Sequence, residues 1–264
     1  DIGFLIDGEA RQAQSGATYD RNDPYTGKLA TRAAAAGVAD AIAAVEAAAA
    51  AFKSWSKTGP GERRALLVKA ADIMDSIFWE ESWGAPDSIP MKEPDMDTKH
   101  FFHVNYGPWD RLNGDAPFID GVGPRPKGAR FYPADMTAEE FDAWGDSTKK
   151  SQYTMVRRDA QGKLTAIPYH IFFGKRVMRA ADLLDQAAAL ATDPGQRNYL
   201  KARAEALRTD KYDASDIAWL DMRSNIVDVI LGPIETYEDQ LYGYKASHEA
   251  YVLVKDKDWS ARLE

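Results

Sequence analysis

The segment from Ile226 to Asp256 constrains the fold more than any other part of the chain. It opens with an apolar run rich in β-branched residues, Ile226-Val227-Asp228-Val229-Ile230, which is typical of a buried strand. Gly232-Pro233 follows and is expected to stop regular strand pairing. Residues 249–254 then predict another strand. Any fold for this chain therefore has to place the first of these strands in a core.

A polar cluster comes directly after the first strand: Glu235, Tyr237, Glu238 and Asp239. Polar residues just past a buried strand are a common way to aim side chains into a cleft from a rigid base. The alternative is an ordinary strand end with acids that face water. The local pattern leaves both interpretations open.

Helical spacing and strand patterns alternate in the first quarter of the chain. Residues 4–6 and 29–33 predict short strands, and alanine fills 14 of the 22 positions from 30 to 51. Helices are predicted over residues 38–57 and 62–74. Their expected inward faces consist of Val38, Ile42, Val45, Ala49, Phe52 and Trp55 in the first helix, and Leu66, Leu67, Ala70 and Ile73 in the second.

The remaining patterns predict a mainly helical body. Residues 105–137 are rich in glycine, proline and aromatics, and we favour packing over a substrate-facing wall for these aromatics. Thr137 and Glu140 form a capping box at the start of a helix. A hairpin is predicted over 152–158 and 163–167, followed by helices over 169–192, 194–208 and 213–223, the last capped by Asp213. The predicted class is α+β: a small N-terminal β/α segment, then a helical body with short antiparallel strands.

Composition excludes several classes of function. The chain has no cysteine, which rules out disulfides, thiolate metal sites and a cysteine nucleophile in these residues. The net charge of −8 and a pI near 5.1 argue against nucleic acid or an anionic membrane as a partner. The sequence lacks a run of 18 apolar residues, so no transmembrane helix is expected. We expect a cytoplasmic location, since a chain without cysteine suits a reducing compartment.

The four histidines give no zinc motif. A helical zinc pair needs a second ligand about one turn after the first. His248-Glu249 is followed at the two possible positions by Val252 and Leu253, so it is a near miss. We interpret His100 and His103 as surface or packing residues because no carboxylate pattern completes them. No metal site is predicted within these 264 residues.

Two segments of the larger part carry a resemblance. They are Ile234-Glu235-Thr236-Tyr237 and the glycine-rich stretch 105–137, which begins Asn-Tyr-Gly-Pro-Trp-Asp. Together they resemble the bacterial branch of the dipeptidyl-peptidase III family of zinc metallopeptidases, over about residue 70 to the last residue. The resemblance implies that Glu235 meets the free amino end of a peptide substrate. It also implies that Tyr237 acts in catalysis by donating a hydrogen bond to the scissile carbonyl.

The same resemblance implies a zinc site in the complete family. We expect its ligands to lie C-terminal to residue 264, in a possible further half of the protein. This chain is therefore expected to carry no cofactor of its own.

The first part resembles the N-terminus of aldehyde dehydrogenases. The residues concerned are Ile6-Asp7-Gly8-Glu9, Pro24-Tyr25-Thr26-Gly27, the end of the alanine-rich helix and Glu62-Arg63-Arg64. The expected segments are thus 1–74 and 75–264. Dehydrogenase activity is excluded for these residues, because without cysteine they cannot form the thiohemiacetal on which that chemistry depends.

These observations predict an incomplete dipeptidyl-peptidase III-like hydrolase that keeps part of the peptide-binding cleft and is inactive alone. The alternatives are a non-catalytic module that binds a peptide or another partner, and a chimera without selected function.

Overall fold

A computed structural model describes residues 2–55 and 60–256. The chain divides into two compact units, residues 1–62 and 63–264. In the described residues there are eight α-helices and ten short strands, and the strands pair antiparallel in twos. The predicted α+β class is confirmed.

The first unit consists of two hairpins and a helix. Its elements are β1 (Phe4–Ile6), β2 (Glu9–Arg11), β3 (Thr18–Asn22), β4 (Leu29–Ala34) and α1 (Val38–Trp55). The predicted strands at 4–6 and 29–33 are confirmed, as is the first helix as far as residue 55; residues 56 and 57 lie outside the described part. Asp40 holds the start of α1, because its carboxylate accepts hydrogen bonds from the backbone N–H groups of Gly37 and Gln14 at 2.8 and 3.0 Å.

The expected inward face of α1 is wrong over Val38 to Ala49, and the side chains of Phe52 and Trp55 lie outside the described part. Val38, Ile42 and Val45 are 79%, 52% and 69% exposed. Apolar spacing shows which residues share a face of a helix. It does not show whether another part of the fold packs against that face. The described apolar residues that this unit buries are few and mostly small: Ile6, Ala13 and Ala33.

The second unit holds the main core. Its helices are α2 (Pro60–Ser82, whose first turn lies in the first unit), α3 (Met96–Asn105), α4 (Ala138–Ala143), α5 (Tyr169–Phe172), α6 (Gly174–Leu190), α7 (Pro194–Thr209) and α8 (Asp213–Asp221), with a 3₁₀ turn at Ser147–Lys150. Its strands are β5 (Trp109–Asp110), β6 (Ala116–Pro117), β7 (Thr154–Arg158), β8 (Leu164–Pro168), β9 (Val227–Glu235) and β10 (Ser247–Val254). None of the helices in the described part of the chain is long and apolar enough to cross a membrane.

Most of the predicted helices are found, with two differences at their ends. Leu67 and Ala70 of α2 are buried in the core, and the cap at Thr137 accepts a hydrogen bond from the Glu140 N–H at 3.1 Å. The helix predicted over 169–192 is broken at Phe173, which lies between α5 and α6. Asp213 is not the cap of α8: Tyr212 occupies that position, and Asp213 places its charge in the first helical turn.

The ribbon of β9 and β10 departs from the prediction at Gly232-Pro233. Strand β9 continues through both residues to Glu235, so the strand does not end there, although its regular pairing is interrupted directly after Pro233. Pro233 lies opposite His248, where a bulge between Ser247 and His248 shifts the register. A bulge interrupts the ladder locally, so a residue without an N–H is tolerated there. Gly232 has φ +124°, a conformation that favours glycine.

The irregular segment 105–137 supports the packing interpretation for most of its aromatics. Trp109, Phe131 and Tyr132 are buried, and the Trp109 indole N–H donates to the Gly123 carbonyl at 2.8 Å. Tyr106 is the exception, since it lines a cavity described below.

Candidate functional site

A cavity of about 460 Å³ lies in the second unit beside α2, the end of α3 and β10. Its size is within the range of small-molecule sites. The residues that line it are Ala71, Asp72, Asp75, Phe78, Val104, Tyr106, Arg111, Tyr237, His248, Glu249, Ala250 and Tyr251. Polar and aromatic side chains from four parts of the unit therefore meet at one place.

Two phenols hold the Glu249 carboxylate in this cavity. Tyr237 donates to Oε1 at 2.7 Å and Tyr251 donates to Oε2 at 2.9 Å. Glu249 and Tyr251 share a face of β10 because side chains alternate along a strand. Burial, followed by the bond to Glu249, raises the pKa of the Tyr237 phenol. Tyr237 therefore stays protonated and keeps its role as a donor.

A second carboxylate is held in the same way on the opposite wall. Tyr106 donates to Oδ1 of Asp75 at 2.5 Å. Burial is the main cause of the raised pKa of Tyr106, and the bond to Asp75 adds to it. Asp72, one helical turn before, also lines the cavity.

The arginine in the wall does not offset this negative charge. Arg111 lies over the rings of Phe78 and Tyr106, at 5.4 and 6.0 Å from their centroids. Its guanidinium binds both oxygens of Glu238, which is buried behind the wall, with one of these contacts at 3.2 Å. Three carboxylates thus face a cavity whose cation is already paired, and the field favours a positively charged ligand.

The structure separates the two site residues predicted from sequence. Tyr237 lines the cavity and is 56% exposed. Glu235 is exposed at the end of β9 and is not among the lining residues. Its charge still reaches the site, since it adds to the raised pKa of Tyr251, of which the bond to Glu249 is the main cause.

The other two members of the predicted polar cluster are structural. Glu238 binds Arg111 and also Arg125. Asp239 is buried and accepts hydrogen bonds from four backbone N–H groups of residues 241–245 and from Tyr132 at 2.7 Å. Of the four residues in this cluster, Tyr237 fits the interpretation as part of a cleft. Glu235 fits the interpretation as an acid at a strand end that faces water.

His248 is committed to packing. Its backbone N–H and its Nδ1 both bind the buried Glu81 carboxylate, at 2.8 and 2.7 Å. Its ring lies 5.0 and 5.2 Å from the rings of Tyr169 and Phe173, and Nε2 is buried without a partner. Burial raises the pKa of Glu81, and the neighbouring His248 opposes that shift.

These surroundings do not fit zinc, which takes at least three protein ligands in known sites. Within residues 2–55 and 60–256, no group of three or more His, Asp or Glu side chains is placed to hold a metal ion. His100 and His103 are exposed on α3. We therefore assign no step in this chain to a metal.

Sequence reasoning missed Arg111 and Tyr251 as site residues, assigned Tyr106 to packing with the other aromatics of residues 105–137, and considered Glu249 only as part of a strand and of the His-Glu motif. The alternation Glu249-x-Tyr251 on β10 was the one local signal for part of this site. The approach of Asp75 and Tyr106 joins residues 31 positions apart, and no local pattern predicts it.

Comparison with known proteins identifies what this unit is similar to. The structure of dipeptidyl-peptidase III from Caldithrix abyssi matches with a TM-score of 0.71 and 41% identity, covering 76% of this chain and 40% of that one. The corresponding enzyme from Corallococcus sp. strain EGB gives 0.69 and 33%, covering 79% and 41%. The larger part of this chain resembles bacterial dipeptidyl-peptidase III. The predicted resemblance is confirmed.

A curated relative matches a similar share of this chain. Nudix hydrolase 3 from Arabidopsis thaliana is 27% identical over 261 residues, an alignment that covers 75% of this chain and 34% of the relative. This chain thus spans about 40% of the dipeptidyl-peptidase III structures and about a third of that relative.

The N-terminal part matches a different family. Residues 11–77 match the model of the aldehyde dehydrogenase family. Vanillin dehydrogenase from Pseudomonas fluorescens is 47% identical over 76 residues, covering 29% of this chain and 16% of the relative. The resemblance of the first part to aldehyde dehydrogenases is confirmed. The boundary between segments at residue 74 stays a prediction.

Proposed function

We propose that the second unit binds the free amino end of a peptide in the acid-lined cavity, as the peptide-binding part of a dipeptidyl-peptidase III-like hydrolase. The observation that carries this proposal is the charge of the cavity. Asp72, Asp75 and Glu249 face it, while Arg111 is paired with Glu238. An ammonium group is the natural partner for such carboxylates, and charge-assisted hydrogen bonds are among the stronger ones.

Each residue has a distinct role in this proposal. Glu249 is the anchor for the ammonium, and the two tyrosines fix the orientation of its carboxylate. Tyr237 is half exposed, so its hydroxyl can turn from Glu249 to a carbonyl of the bound peptide. Glu235, at the rim, supplies a further negative charge. The resemblance to dipeptidyl-peptidase III implies the same task for Tyr237, but it gives the task of meeting the free amino end to Glu235, where this proposal gives it to Glu249.

We further propose that the chain alone binds peptide without hydrolysing it. Peptide binding needs only the carboxylates and phenols of the cavity. Hydrolysis in this family depends on a zinc ion, which supplies an activated water and a Lewis acid. No donor set in the described residues fits that ion. The alternative, a non-catalytic peptide-binding module, would use the same binding site. It would differ from the proposed hydrolase part only in never hydrolysing the peptide.

Calorimetric titration with tetra-alanine tests the binding. We expect the peptide with a free amine to bind at least about tenfold more tightly than its N-acetylated form, because acetylation removes the charge. Glu249→Gln should weaken binding of the free peptide about tenfold. Glu139→Gln, an exposed change on α4, is the matched control and should have no effect. Equal affinity for the two peptides would refute the proposal.

The pH and salt dependence of the same titration is a second test. An α-amino group has a pKa near about 8, so affinity should fall as the pH rises above that value. Added salt should weaken binding, since water and ions reach the cavity beside the exposed Tyr237 and screen its carboxylates. Hydrolysis of a dipeptidyl-naphthylamide with stoichiometric bound zinc would overturn the proposed inactivity while leaving the binding site intact.

A further inference from the structure

A second cavity, of about 450 Å³, lies in the same unit between α7, α8 and β9. The proposed peptide site does not use it. The two cavities flank one ribbon: Ile230 of β9 lines the second cavity, and its cross-strand partner Tyr251 lines the first. Their linings differ, since the second cavity contains a buried arginine, Arg203, with one acidic residue, Asp216, while three carboxylates face the first.

Arg203 has few acceptors for a buried cation. Its side chain is 5% exposed and lies over the rings of Tyr199 and Tyr212, at 5.5 and 5.2 Å. One terminal nitrogen donates to Asp216 at 2.5 Å, and the Nε–H is buried without a partner. Three other arginines, Arg125, Arg158 and Arg208, each bind two carboxylates. Arg203 binds one, and that carboxylate is 55% exposed.

Gly232 and Tyr199 lie next to this guanidinium. A side chain at Gly232 would place its Cβ 3.7 Å from Nη1 of Arg203, so the glycine keeps the strand side uncovered. The buried Tyr199 hydroxyl lies beside Arg203 and belongs to the lining of the same cavity. Burial raises the pKa of Tyr199, although the charge of Arg203 and its hydrogen bonding to the phenol oxygen oppose the shift, so the phenol remains a neutral donor.

Apart from Gln152 and Asp216, the rest of the lining is apolar or aromatic. Trp219, Leu220 and Ile234 surround the polar end, and the Trp219 indole is oriented by its hydrogen bond to Asp228 at 2.9 Å. A largely apolar cavity with a few convergent donors is the usual form of a small-molecule site.

We propose that this cavity binds a carboxylate carried by an apolar or aromatic group, with Arg203 and Tyr199 as donors. The ligand carboxylate supplies the second acceptor that Arg203 lacks. The apolar body of the ligand packs against Trp219 and Leu220. This assignment does not depend on the peptide-binding proposal, since it uses different residues and the opposite charge.

Titration of the full chain with 3-phenylpropionate tests the proposal. We expect saturable binding, and at least about tenfold weaker binding of the neutral 3-phenylpropionamide and of 3-phenylpropylamine. Equal binding of acid and amide would overturn the assignment, as would no binding of the acid.

Variants locate the site. Asp216→Asn removes the competing carboxylate, so 3-phenylpropionate should bind several-fold more tightly; this gain cannot arise from misfolding. Leu220→Trp, at an exposed position on the lip, should block entry. Arg203→Met should abolish binding, and Arg208→Met on the same helix, outside the cavity, is its control. Unchanged or weaker binding by Asp216→Asn would contradict the proposal.

A further pair of variants tests the hydroxyl. Tyr199→Phe should weaken binding of the acid several-fold. Tyr242→Phe is the matched control, because Tyr242 also has a buried hydroxyl and does not line the cavity. An equal loss in the two variants would count against Tyr199 as a donor.

Two sources of such a carboxylate can be distinguished. N-acetyl-Gly-Phe and its C-terminal amide present the same group at the end of a peptide. If the peptide acid binds as tightly as 3-phenylpropionate and the peptide amide does not, the cavity accepts peptide C-termini. If only the small acid binds, the ligand is a free organic acid. Either result supports a carboxylate site.

Discussion

At the scale of single residues, the buried pair Glu81 and His248 supports the back of the peptide cavity. Glu81→Ala would leave the His248 ring and backbone N–H without their acceptor. We expect a loss of about 3–5 kcal/mol in the free energy of unfolding, measured by urea denaturation. Glu80→Ala is the control: its pair with Arg176 is partly exposed, so the loss should be within about 1 kcal/mol. Comparable losses of unfolding free energy in the two variants would show that the Glu81–His248 pair contributes no more to stability than the partly exposed Glu80–Arg176 pair.

Lys245 makes stability depend on pH in a direction opposite to that of an ordinary surface lysine. Burial lowers its pKa from 10.5 to about 8, although its Nζ donates to the Lys149 and Ser151 carbonyls and to Thr154. Between these two pH values the unfolded chain holds a proton on this lysine that the folded chain has released. The contribution of Lys245 to stability should therefore rise from about pH 8 to 10, by up to about 1.4 kcal/mol per unit.

The check is a set of urea unfolding curves across that pH range. Lys245→Met should remove the rise, and it should also destabilise the protein at neutral pH because three acceptors lose their donor. Lys255→Met is the control, because Lys255 is partly exposed. If Lys245→Met kept the pH dependence of the unfolding free energy, the lowered pKa of Lys245 would not be the source of that dependence.

Residue chemistry could be predicted from the sequence only where the pattern is local. Tyr237 was found through its motif and does line the cavity. Glu238 and Asp239 lie next to it but point into the protein, because they serve Arg111 and the turn at 241–245. Which of several adjacent polar residues faces a cavity depends on partners distant in sequence.

At the scale of elements, the ribbon of β9 and β10 shows why a breaker pair need not end a strand. Proline and glycine predict a stop when the facing strand is regular. Here the bulge at Ser247/His248 changes the pairing opposite Pro233, and Gly232 adopts φ +124°. The break between α5 and α6 escaped prediction for a related reason. The apolar spacing continues across it while the backbone turns at Phe173.

The ribbon also provides a test at position 232. Gly232→Ala forces a side chain into a conformation that L-residues rarely adopt, with its Cβ 3.5 Å from the Tyr212 ring. We expect a loss of about 1–3 kcal/mol in unfolding free energy, measured by thermal denaturation. Gly123→Ala, where a Cβ meets nothing within 4 Å and φ is unstrained, should be close to neutral. A neutral result at 232 would show that the ribbon can relax around the bulge.

At the scale of the whole molecule, the core explains which part carries the proposed functions. The main cluster of buried apolar side chains starts at Leu67 and runs to Leu231, within the second unit. Both cavities are lined by residues 71–251 of that unit. The match to the aldehyde dehydrogenase family covers residues 11–77 and so overlaps only the first core residues, Leu67 to Ile77.

Residues 60–264 produced alone should therefore fold, since they contain the whole of α2 and every residue of the main core. We expect a cooperative thermal transition by near-ultraviolet circular dichroism, and unchanged affinities for tetra-alanine and 3-phenylpropionate. The matched control is the full chain at equal concentration. A shortened chain that folds but loses only tetra-alanine binding would place part of the peptide site in residues 1–59. Loss of the thermal transition in the shortened chain would show that the second unit depends on the first for its stability.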